Sequence, residues 1–105
     1  MKIVVRDGDA EARVGLSHWW PGRDWVWHSD FTATFSPIPA YVRNKAHRMG
    51  SKYMTMVYTE LPRGHLATYA VCRANDQPSR AKGRFIALLR MGRLLKGMGL
   101  KMEKA

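Results

Sequence analysis

Residues 52–73 read K-Y-M-T-M-V-Y-T-E-L-P-R-G-H-L-A-T-Y-A-V-C-R. Two runs rich in Thr, Tyr, Val and Met, at 52–60 and 65–73, flank Leu61-Pro62-Arg63-Gly64. Aromatic and β-branched side chains suit a pleated surface. Proline presets the backbone of a turn, and glycine tolerates the conformation that follows it. The stretch therefore predicts a β-hairpin, with Cys72 late in its second strand and buried. A hairpin alone cannot bury an apolar face, so the rest of the chain must cover it.

The cover follows directly. Residues 75–97 read N-D-Q-P-S-R-A-K-G-R-F-I-A-L-L-R-M-G-R-L-L-K-G. Asp76 or Ser79 can cap a helix, and Pro78 fits its first turn. At helical spacing Ala81, Phe85, Leu88, Gly92 and Leu95 form one stripe, with Leu89 and Met91 at its margins. Small Ala81 and Gly92 would let that stripe lie close to a sheet. Lys82, Arg90, Arg93 and Gly97 face away, and Arg80 and Arg84 share a shoulder near the start. The helix is expected to span 78–97, with Gly97 and Gly99 ending it and a frayed tail over 98–105.

Upstream, residues 2–5 are a short apolar run that Asp7-Gly8-Asp9 turns back, and 11–17 can be a second short strand. Residues 25–35, W-V-W-H-S-D-F-T-A-T-F, alternate with period two. Trp25, Trp27, Phe31, Ala33 and Phe35 fall on one face, the signature of a half-buried strand. Pro37 and Pro39 end it. Residues 39–49 can be a short helix, with Pro39 in its first turn, Val42, Ala46 and Met49 on one face, and Gly50 at its exit. The rival reading is a basic loop. The expected architecture is α+β: a mostly antiparallel sheet of about four strands packed against a basic, amphipathic C-terminal helix, in a single domain.

The 105 residues are 46% hydrophobic and 25% charged, as in an ordinary globular domain. One cysteine excludes an internal disulfide and fits a reducing compartment. No stretch approaches the length of a membrane span, and the N-terminal apolar run is too short for a signal peptide. A cytoplasmic protein without membrane attachment is expected. Net charge is +10, and residues 77–105 hold eight Lys or Arg against Glu103 alone. Cations so concentrated attract polyanions or acidic protein surfaces.

Catalytic and cofactor signatures do not appear. His18, His28, His47, His65 and Cys72 lack zinc-ligand spacing. There is no phosphate loop, dinucleotide fingerprint or nucleophile elbow. A thiol late in an apolar strand is usually an inert core group. The reading is a binding protein, not an enzyme, with no metal or cofactor. Its candidate contacts to nucleic acid or an acidic partner are Arg80, Lys82, Arg84, Arg90 and Arg93, helped by Arg43, Lys45 and Arg48. Three bases in the first turns of a helix oppose its dipole, which points to a role other than stability. Trp20, beside Pro21-Gly22, is a candidate aromatic anchor on the surface.

Two resemblances bear on this reading. Residues 65–95, with Ser79-Arg80-Ala81-Lys82 and Ala87-Leu88, resemble the second half of a double-stranded-RNA-binding domain, which would make Arg80, Lys82 and Arg84 phosphate contacts. The likeness covers under a third of the chain. The family's first helix and its glycines before the serine have no counterpart here. The pattern D-x-x-S-R-x-x-G-R, on Asp76, Ser79, Arg80, Gly83 and Arg84, is similar to small phage or prophage proteins. Many of those are host-takeover or anti-defence inhibitors, which implies a bacterial host protein or nucleoprotein as partner.

Overall fold

The computed structural model describes residues 2–21, 27–29, 38–73 and 80–104. Strand β1, Ile3–Asp7, turns at Gly8-Asp9 into β2, Ala10–Pro21. Strand β3, Trp27–Ser29, pairs with the end of β2. Helix α1, Ala40–Arg48, is followed by the hairpin β4, Met54–Leu61, and β5, Gly64–Val71. Helix α2, Arg80–Gly97, and strand β6, Met102–Lys104, complete the chain. Every pairing among the described residues is antiparallel, and the strands run β5-β4-β2-β1-β6 with β3 joined to β2. The expected α+β architecture holds, with α2 packed on the sheet.

The hairpin has its expected turn: Leu61 pairs with Gly64 across Pro62-Arg63. Its two faces are both used. Val57, Leu61 and Ala70 pack with Val5, Ala12, Ala87, Met91 and Leu95 under α2. Met54, Met56 and Tyr69 pack with Trp19, Ile38, Val42 and Ala46 under α1. The period-two alternation of β4 thus feeds two apolar clusters, one per face. The 39–49 segment is a helix, not a loop. The Ser51 N–H closes it on the Ala46 carbonyl at 2.9 Å, past Gly50 at φ +61°.

Four expectations are corrected. Strand β2 is not short: its start pairs with β1, its middle with β4 and its end with β3. Gly15 interrupts its apolar pattern because the Tyr58 ring lies over it; a Cβ there would sit 2.3 Å from that ring. The helix α2 is rotated from the expected stripe. Ala87, Met91 and Leu95 are buried while Phe85 is 68% exposed. The close approach is made at Gly83 and Ala87: a Cβ on Gly83 would lie 2.4 Å from Thr55 Oγ1, and Thr68 Oγ1 donates to the Ala87 carbonyl at 2.7 Å.

The tail does not fray through 102–104. The Leu100 N–H bonds the Leu95 carbonyl at 2.8 Å around Gly99, and the returning chain pairs Met102 with Val5. Cys72 is half-buried just past β5, where its N–H donates to the Tyr53 carbonyl at 3.1 Å. Of the expected strand 25–35, only Trp27–Ser29 is described; Trp25, Phe31, Ala33 and Phe35 lie outside the described residues, as do Asp76, Pro78 and Ser79.

Candidate nucleic-acid interface

Strand β5 lies at the end of the strand order, so one of its edges faces away from β4. Helix α1 overhangs that edge from one face of the sheet and α2 from the other. Between them runs a groove of about 600 Å³. Tyr41 and Lys45 line it from α1, Ala67, Tyr69 and Val71 from β5, and Arg90, Arg93 and Leu94 from α2.

Helical geometry decides which cations reach it. On α1, Tyr41, Lys45 and Arg48 lie one turn apart along a single flank, while Arg43 falls on the other side of buried Val42 and Ala46. On α2, Arg90 and Arg93 lie on the flank toward β5. Arg80 and Arg84 share a shoulder at the helix start. Lys82, two residues from each, is turned to a different side. The structure therefore brings Lys45, Arg90 and Arg93 together, sets Arg48 beside Lys45, and leaves Arg43, Arg80, Lys82 and Arg84 elsewhere on the exposed helical surfaces.

Arg90 is anchored: its Nη1 donates to the Tyr69 carbonyl. That bond also shows which way the edge points. In an antiparallel ladder the N–H and C=O of one residue leave on the same side, so both Tyr69 groups face the groove. The Tyr69 ring is buried in the floor. Burial, and secondarily the neighbouring Tyr41, pushes its phenol up to about 12, so it stays neutral and keeps its proton. Tyr41 itself is 71% exposed.

The electrostatics follow from composition by element. Helix α1 carries three Lys or Arg and α2 six, and neither carries an acid. The described acids gather where the β1–β2 and β4–β5 turns meet, and most have partners. Arg63 Nε is 2.8 Å from Asp7, and Arg6 lies 3.6 Å from both Glu11 and Glu103. His65 lies 3.6 Å from Glu60. Arg6 and Arg63 are thus balanced locally, and the largest acid-free concentration of positive charge sits on the helices.

Sequence reading missed Tyr41, Tyr69 and Leu94, since nothing in the pattern places a strand edge between two helices. Tyr41 was nonetheless legible as an aromatic one turn before Lys45 on the polar flank of a short helix. Also unforeseen is a polar cluster at the start of β4. The Tyr53 hydroxyl bonds His18 Nδ1, their rings stack at 5.5 Å, and Thr55 Oγ1 lies 3.4 Å from the same nitrogen. Trp20, the expected anchor, is 46% exposed beside buried Trp19. Among the described residues no group of three or more His, Cys, Asp or Glu could hold a metal ion. No described helix is long and apolar enough to cross a membrane. Comparison with family models, curated proteins and solved structures finds no match for the chain.

Proposed function

We propose that this protein binds nucleic acid through the phosphate backbone, using the cations of its two helices. One observation carries the reading: the two helices hold nine of the eighteen Lys and Arg and no acid, while among the remaining cations Arg6 and Arg63 are paired with carboxylates. Solvated cations release counterions when they meet phosphates, which is the main source of backbone affinity. The contacts come from Lys45, Arg48, Arg90 and Arg93 around the groove, and from Arg43, Arg80, Lys82 and Arg84 beyond it.

The test compares two double variants of equal charge change by fluorescence anisotropy on labelled oligonucleotides. Arg84→Gln/Arg93→Gln should weaken binding by roughly tenfold at physiological salt and flatten its salt dependence, as lost phosphate contacts do. Arg6→Gln/Arg63→Gln should change it little. Equal losses from both, or no binding at physiological salt, would refute the proposal.

A second reading has its own observation. Phe85 and Leu89 are exposed one turn apart on the outer face of α2, with Lys82 and Lys96 beside them. Backbone binding has no use for that apolar pair. A protein partner with an acidic-rimmed groove would, in the manner of an inhibitor that docks a helix, and exposed Trp20 would serve as a second anchor.

A further inference from the structure

Building on the nucleic-acid reading, we infer that the groove along the β5 edge takes a single strand, with a base on the Tyr41 ring and its phosphates between Lys45 and Arg93. The groove's size is the first argument. At about 600 Å³ it matches a small-ligand pocket, with room for a base and its phosphate but not for a double helix. Chemistry is the second. Single strands are held by aromatic faces that stack on bases within a cationic channel. Tyr41 offers such a face at 71% exposure, Leu94 faces it across the groove as an apolar contact, and cations stand on both banks. No acid lines the groove among the described residues.

The floor distinguishes this occupant from an extended acidic peptide. A peptide adding a strand to β5 would need both the N–H and the carbonyl of Tyr69. Arg90 already takes one lone pair of that carbonyl and sets its guanidinium across the edge, so the edge at Tyr69 is cationic and rich in donors. Donors suit phosphate and base acceptors. A second copy of this chain is disfavoured by the same cations, which would face each other across the paired edges.

Fluorescence anisotropy at about 0.15 M salt tests the assignment. The probes are a labelled oligothymidylate, an oligouridylate, a duplex of equal length and an oligoglutamate of matched charge. Single strands should bind more tightly than the duplex. Tyr41→Ala should cost roughly 5- to 100-fold on single strands, Tyr41→Phe should retain most of the affinity, and both should leave duplex binding unchanged. Lys45→Gln/Arg93→Gln should reduce the log–log salt slope for single strands by about 1.4. Tyr41 is exposed, so its replacement leaves the fold intact, which circular dichroism checks.

Equal binding of duplex and single strand, with no effect of Tyr41→Ala, overturns the groove assignment while the backbone reading stands. Oligoglutamate binding without nucleic-acid binding overturns both, in favour of an acidic protein partner.

Discussion

Tyr69 shows how one residue couples the groove to the stability of the domain. Its phenol lies under α1, and its carbonyl faces the edge that Arg90 caps. Burial, then Tyr41, raises the phenol from 10.0 to about 12. The folded state therefore holds that proton more tightly than the unfolded chain does. Its contribution is complete below pH 10 and is lost as pH rises toward 12, on the order of 2–3 kcal/mol in all. Urea unfolding across that window should show stability falling with pH, and Tyr69→Phe should remove that portion of the slope. An unchanged slope in the Phe variant would refute the assignment. Gly83 is a second residue of this kind. Its missing Cβ lets the first turn of α2 settle onto Thr55, a close approach that outweighs helix propensity.

Among the elements, α2 separates what is legible in the sequence from what is not. Its existence and its end at Gly97 were readable from the apolar spacing and the glycines at its exit. Its rotation was not. Phe85, Leu88, Leu89, Met91, Leu94 and Leu95 wrap most of the helix, so two stripes compete. Large side chains favour the Phe85 stripe in any sequence-based reading. Steric fit decides for Gly83, Ala87 and Met91, where the backbone can approach the sheet, and that information lies in β4 and β5. Met91→Ala should therefore cost about 2–5 kcal/mol of stability, and Phe85→Ala no more than about 0.5. Comparable costs in denaturant titrations would restore the Phe85 stripe as the buried one. The hairpin was legible because its turn chemistry is local. The length of β2 was hidden by Gly15, whose cover comes from Tyr58 on another strand. A three-residue strand such as β6 has no period to read. It exists because the turn at Gly99 aims it at β1. The groove was the least legible of all, since its parts are three separate elements that only the topology brings together.

At the scale of the whole molecule, the strands are not equal partners. Strand β2 pairs with β1, β4 and β3 in succession along its length. The β1–β2 and β4–β5 hairpins are local, but β2 meets β4 some forty residues away, Leu16 opposite Val57. The β1–β6 pair joins Ile3 to Lys104. Contacts that close long loops form late in folding, and a short edge strand opens early. Native-state hydrogen exchange should find the slowest amides in the β2–β4 ladder and the fastest strand amides in β6. Exchange of β6 as slow as that of β4 would contradict this. Among the described residues, no sheet pairing beyond the β4–β5 hairpin and the β1–β6 ladder survives without β2, so a form that lacks this strand keeps only fragments of the sheet. Once that strand lets go, the clusters under both helices lose side chains together, Ala12 from one and Trp19 from the other, and the domain is expected to open as one cooperative unit.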